Sequence, residues 1–181
     1  MSHYDEPTVK SEAIFRGKLI NVQVDTVRLP NGKTATRELV KHPGAVAVLA
    51  LTDDNRLVVV EQYRKPLEKM TVEIPAGKLE PNENLIVCAK RELAEETGYT
   101  ARTWAHLISF YTSPGFADEQ LHLFTAEDLE DGSARPDEDE FVTAQAITLH
   151  EAWDLMQEGR ICDAKTVTAV YAWQNKLLKN R

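Results

Sequence analysis

Cysteine is scarce in this chain and positive charge is in deficit, and each shortage closes off a class of function. Two cysteines in 181 residues, Cys88 and Cys162, can build neither a disulfide framework nor a thiolate metal cage, so both are expected to pack, in a reducing cytoplasm. Lys and Arg number 21 against 29 Asp and Glu, a formal net charge of −8. That balance disfavours a nucleic-acid duplex or an anionic membrane surface as a partner. No apolar run approaches the ~18 residues a membrane span needs, and the opening MSHYDEPTVKSEAIF has no apolar segment of the kind that directs export. The five histidines are scattered without ligand spacing and are expected at the surface or in packing. Neither a repeat nor a low-complexity segment occurs. The 43% hydrophobic content is enough for one ordinary domain with a small extension.

What the chain does have is an unusual concentration of carboxylates. Residues 77–99 read GKLEPNENLIVCAKRELAEETGY. Residues 84–97 contain no Gly or Pro and are rich in Leu, Ala, Glu, Lys and Arg; Pro81-Asn82 precedes them and Gly98 follows, which predicts a helix of about four turns. At 100° per residue, Ile86, Ala89 and Leu93 form a core-facing stripe, and Glu92, Glu95 and Glu96 fill the neighbouring sector. Glu92 and Glu96 then sit one turn apart on one face. Like charges at that spacing destabilise a bare helix, so the cluster calls for a compensating cation. Hard oxygen donors without nearby His or Cys favour Mg²⁺ or Mn²⁺ over zinc. Gly77, after Pro75-Ala76, fits a turn with positive φ that would bring a backbone carbonyl close to such an ion.

The remaining pattern predicts a mixed sheet with helices on its faces. Residues 22–26 alternate apolar and polar, Pro30-Asn31-Gly32 offers a hairpin turn, and residues 34–40 return as the second strand. AVAVLAL from Ala45 reads as a buried strand, with residues 57–63 as its partner. Residues 72–74 lead into the glycine turn. Strand-like stretches follow at 105–111, 121–125 and 141–147, with an acidic loop at 128–140 and closing helices near 149–157 and 163–178.

In spacing, Gly77, Glu83 and the run Arg91-Glu92-Leu93-Ala94-Glu95-Glu96-Thr97-Gly98-Tyr99 resemble the Nudix box, the signature of the Nudix hydrolase family. Tyr99 puts an aromatic where the pattern has an aliphatic, a change that burial tolerates. The resemblance implies an α+β fold, an αβα sandwich with a mixed sheet, at residues 44–181, preceded by an N-terminal antiparallel β unit at 1–43. It implies hydrolysis of a nucleoside diphosphate linked to another group, with the Ala76 carbonyl, Glu92, Glu95 and Glu96 as metal ligands. Arg91 would be structural, pairing with Glu83. A non-catalytic binding module would need a degraded box, and every glutamate here is intact.

Pro114 lies sixteen residues beyond Gly98 in FYTSPGFADEQLHLF. With Tyr111, Gly115 and Glu119, and with EQYRKP and EIPAGKLE upstream, it is similar to the ADP-ribose pyrophosphatase branch of the family. That likeness implies ADP-ribose as substrate, with hydrolysis of other nucleoside diphosphate sugars as the alternative. It implies phosphate contacts from Arg37 and Arg64, adenine stacking on Phe15 or Tyr63, and a homodimer in which the N-terminal unit reaches the second subunit's site. The base in this branch sits on a mobile loop outside the box. Here that places it at Glu138, with Glu140 as the alternative.

Overall fold

The computed structural model describes residues 3–132, 134 and 141–179. The chain divides into two compact units, Met1–Gly44 with Phe110–Gln120, and Ala45–Ser109 with Leu121–Arg181. The first unit is an antiparallel sheet, β1 (Thr8–Arg16), β2 (Asn21–Arg28) and β3 (Thr34–Lys41), in that order. The hairpin expected at Pro30-Asn31-Gly32 joins β2 to β3: the Lys33 carbonyl accepts from Leu29 N–H at 2.8 Å, and Gly32 takes φ 83°. β1 was not expected, because TVKSEAIFR mixes charged and apolar residues without clean alternation. It pairs along β2 with two register shifts, and all nine of its residues are exposed. The segment 110–120 is tied to the end of β3, Val40 donating to the Phe116 carbonyl (2.8 Å) and Lys41 pairing with Asp118 (2.9 Å).

The second unit is built around β4 (Ala45–Ala50), which pairs antiparallel with the short β7 (Ala76–Lys78) and parallel with β9 (Gln120–Glu130), with β8 (Thr100–Tyr111) at the edge. A second sheet runs β10 (Thr143–Ile147), β5 (Leu57–Arg64), β6 (Lys69–Glu73). The helices are α1 (Leu85–Thr97), α2 (Leu149–Gln157) and α3 (Ala164–Lys179). All six residues of β4 are buried, which explains why its sequence shows no alternation. Val46, Val48 and Ala50 pack with Cys88, Ala89 and Leu93 of α1. Successive strand residues point to opposite faces, so Ala47 and Leu49 face away from α1, and α3 covers β4 as well, with Ala169, Val170 and Trp173 buried. The expected α+β class with its mixed sheet is what the chain forms.

Residues 57–63 do not partner β4 as expected: β5 joins the second sheet between β10 and β6, and an isolated bridge between Leu51 and Leu57 is what remains of that pairing among the described residues. The other differences lie at element ends. β8 begins at Thr100 rather than 105, and β9 continues through Glu130, so residues 128–130 are strand rather than loop; the acidic side chains of Asp128 and Glu130 are exposed, which the end of the strand tolerates. Cys88 packs as expected, whereas Cys162 is exposed. No helix among the described residues is long and apolar enough to cross a membrane. Leu93 is fully buried where α1 meets the sheet. Leu93→Ala is expected to lower unfolding free energy in urea by roughly 2–5 kcal/mol, the range for a leucine cavity in a packed core, and a loss under 1 kcal/mol would contradict this packing.

Candidate active site

The acidic helix forms as its sequence dictates. Asn84 caps the N-terminus, its Oδ1 accepting from Ile86 N–H at 3.1 Å, and Gly98 ends the helix in the left-handed region at φ 78°. Glu92 and Glu96 are 7% and 4% exposed, unusual for glutamates. Glu95 is more open, with a third of its side chain in solvent.

Arg91 gathers this cluster. Its Nε and Nη2 donate to the two oxygens of Glu83, both at 3.1 Å, while Nη1 donates to Glu92 at 2.8 Å and Glu95 at 2.9 Å. The Glu83 pairing is the one the resemblance implied. The bonds to Glu92 and Glu95 were not foreseen, and they supply from within the chain part of the positive charge that the crowded carboxylates require. Bonding to Arg91, above all, holds the Glu83 carboxyl down to about 2. Cys88 lies beside this group, and burial, followed by Glu83, pushes its thiol up to about 12, so it stays protonated and offers no soft ligand.

Gly77 departs from the expected turn. It lies in β7, paired with Val46, and it is not among the glycines with positive φ. The need for glycine here is steric: a Cβ built on Gly77 would fall inside the Glu92 carboxylate. One residue earlier, Ala76 N–H donates to Glu96 Oε2 at 3.1 Å. The backbone at 76–77 therefore presses directly on both buried carboxylates. Among the described residues no three His, Cys, Asp or Glu side chains gather to hold an ion by themselves. The fit to a hard divalent cation rests on the Glu92 and Glu96 oxygens and on this bare stretch of backbone against them, an all-oxygen donor set suited to Mg²⁺ or Mn²⁺.

The predicted phosphate ligands are already engaged by carboxylates. In the second unit, Arg64 donates through Nε (2.7 Å) and Nη2 (2.6 Å) to the two oxygens of Glu73, with 41% of its side chain exposed. In the first unit, Arg37 grips Glu6 in the same two-point way, at 2.8 and 2.6 Å. A carboxylate in such a fork occupies the geometry a phosphate would take. Pro114 sits in a turn closed by Phe116 and Ala117 N–H groups on the Ser113 carbonyl, and it lines a cleft with Val40, Lys41, Phe116 and Asp118. Phe15 lines a second cleft of that unit with Arg16, Gln23 and Lys41, and Tyr63 is exposed on β5. Glu138 and Glu140 lie outside the described residues. Sequence reasoning missed Glu73, which is buried and bonded to Arg64, Thr71 and Lys165. Its signal was a lone glutamate in the otherwise buried run 71–75.

A family model described as the NUDIX domain matches residues 41–170. The chain belongs to the Nudix family. Residues 6–40 match a second model, described as the nucleoside diphosphate sugar hydrolase N-terminal domain. This Nudix protein is 55% identical to the methanol dehydrogenase activator of Bacillus methanolicus over 98% of each chain. It is 51% identical to the ADP-ribose pyrophosphatase of Bacillus subtilis (strain 168), covering 97% of this chain and 96% of that one. The crystal structure of an ADP compounds hydrolase superposes with a TM-score of 0.85 over 99% of this chain and 97% of the other; at 23% identity that likeness speaks for the Nudix fold alone.

Gly77→Ala tests the close approach. The atoms in collision are the end of a flexible side chain, so the variant is expected to fold with a near wild-type melting curve while kcat falls roughly 10–100-fold, the usual loss when a ligand's supporting contact is disturbed. Unchanged turnover would show that the Glu92 carboxylate can move without consequence.

Proposed function

We propose that this Nudix protein hydrolyses the pyrophosphate bond of ADP-ribose, releasing AMP and ribose 5-phosphate. The observation that carries the reading is the 51% identity, over nearly the whole of both chains, to a protein named for that activity, in a chain whose box glutamates are all present. Glu92, Glu96 and Glu95, with the Ala76 carbonyl, would hold Mg²⁺, with Mn²⁺ as a substitute. Bound there, the ion offsets charge on the diphosphate and makes water more acidic.

The chain's own residues supply the rest. Arg64 and Arg37 bind the phosphates, Arg37 by exchanging its carboxylate partner for a phosphate one, which the fork geometry of guanidinium favours. Pro114 shapes the turn that borders the substrate, and Phe15 or Tyr63 offers a ring for adenine. Glu138, with Glu140 as the alternative, takes the proton from the water that attacks phosphorus as the bridging P–O bond breaks. Residues 1–43 act as a dimer-forming unit and 44–181 as the catalytic domain. In support, β1 leaves Val9, Ile14 and Phe15 each more than half exposed, apolar side chains that a second subunit would cover. The reaction belongs in the cytoplasm, where such nucleotides circulate.

A second reading, hydrolysis of other nucleoside diphosphate sugars such as ADP-glucose or GDP-mannose, is favoured by the description of the N-terminal family model. A product assay over a panel of diphosphate compounds with Mg²⁺ separates the two: ADP-ribose should give the highest kcat/KM, and a higher value for a hexose sugar would favour the second. Glu138→Gln is expected to lower kcat by roughly 10²–10⁴-fold with little change in KM, the contribution of a positioned base; near wild-type turnover would move that role elsewhere. Light scattering at micromolar concentration should give the mass of a dimer, and a monomer would remove the shared-site arrangement.

A further inference from the structure

Glu73 ends β6, inside the protein, at 1% exposure. A lone buried carboxylate is costly, and this one has gathered several partners. The register opposes Arg64 to Lys69, Gln62 to Thr71 and Val60 to Glu73, which places Arg64, Thr71 and Glu73 on one face of the β5–β6 pair. Arg64 bonds both Glu73 oxygens, Thr71 Oγ1 donates to Oε1 at 2.7 Å, and Lys165 from the start of α3 donates to Oε2. Burial pushes the Glu73 carboxyl up, and the bonds to Arg64 and Lys165 outweigh it, holding it at about 2. Lys165 is fixed in turn by Asp163 at 2.9 Å.

The connection from α2 to α3 is bolted to the same strand. Lys69 Nζ donates to the Gly159 carbonyl, Val72 N–H to the Arg160 carbonyl (both 2.9 Å), and Ile74 N–H to Thr166 Oγ1 at 3.1 Å. Buried ion pairs are poor sources of stability compared with apolar packing. What this arrangement does provide is orientation. It holds one edge of the Arg64 guanidinium, Nε with Nη2, and among the described residues Nη1 on the other edge has no hydrogen-bond partner while the side chain remains 41% exposed. Glu73 is the main influence raising the Arg64 pKa, and Glu96 is among the others, so the guanidinium lies within electrostatic reach of the acidic helix.

We propose that Glu73 and Lys165 are positioning residues for substrate binding, clamping the Nε–Nη2 edge of Arg64 so that its Nη1–Nη2 edge is presented to a phosphate of the nucleoside diphosphate. The inference rests on the reading of Arg64 as a phosphate ligand, and it refines that reading: Arg64 keeps Glu73 when substrate arrives instead of exchanging it. An ammonium could not serve, because only a planar guanidinium has two edges to divide between a clamp and a ligand. Lys165 shares the Glu73 charge, leaving Arg64 more of its own for the phosphate.

The test is a mutant cycle read by calorimetric titration of ADP-ribose in EDTA, where binding is measured without turnover, together with KM and kcat in Mg²⁺. Arg64→Ala should weaken binding roughly 10–100-fold, the worth of a charge-assisted hydrogen bond. Glu73→Gln should weaken it roughly 5–20-fold with kcat changed less than about twofold, and should add nothing in the Arg64→Ala background. Lys165→Met should give a smaller loss of the same kind, also absent in that background, and it serves where Glu73→Gln does not fold. If Arg64→Ala binds ADP-ribose normally, the phosphate role of Arg64 fails and the inference with it. If Arg64→Ala weakens binding but neither folded partner variant does, or if their losses persist without Arg64, the clamp is overturned while the reading of Arg64 stands.

Discussion

The site depends on one close approach, that of a strand's backbone to a helix's carboxylates. Strand β7 can lie against α1 with Glu92 in its present place only because residue 77 has no side chain; any Cβ there would occupy the space of the Glu92 carboxylate. With the backbone that near, Ala76 N–H reaches Glu96, and two glutamates are held in a largely buried setting facing bare peptide. The adjoining stripe of α1, where Leu93, Ala89 and Cys88 meet β4, the strand paired with β7, fixes the distance from which this approach is made. Packing thus sets the geometry, and the missing side chain permits it.

Charge is then distributed around that constraint. Burying carboxylates is unfavourable unless each has partners, and the chain answers with guanidinium groups rather than ammonium groups wherever two oxygens must be met at once. Arg91 spans Glu83, Glu92 and Glu95. Arg64 meets Glu73, and Arg37 meets Glu6. The net charge of −8 therefore says little about the local field, since cations are concentrated beside the most crowded anions. A protein acidic overall can in this way bind a polyanionic nucleotide.

Much of this was legible in the residues. The acidic helix, its stop at Gly98 and its buried stripe follow from spacing, because a helix translates sequence offset directly into angle. The two-sided burial of β4 follows from an unbroken apolar run. Gly77 was found for the wrong reason: glycine at a turn and glycine at a close contact look alike in a sequence, and only the position of Glu92 decides between them. Strand β1 stayed hidden because an exposed strand has no apolar alternation to betray it. The Glu73 network was equally invisible, since its members, residues 64, 71, 73 and 165, meet only through strand register and the docking of α3.

Glu92 and Glu96, brought against the 76–77 backbone, are proposed to form a divalent-ion site. Titration of the purified protein with Mn²⁺, followed by electron paramagnetic resonance of the free ion, tests it without reference to turnover. Saturable binding is expected for the wild-type chain, with a loss of at least about tenfold in affinity for Glu92→Gln and for Glu96→Gln, in keeping with the removal of a ligand from the metal. Equal Mn²⁺ affinity in the wild type and in both variants, or none in any of them, would contradict it.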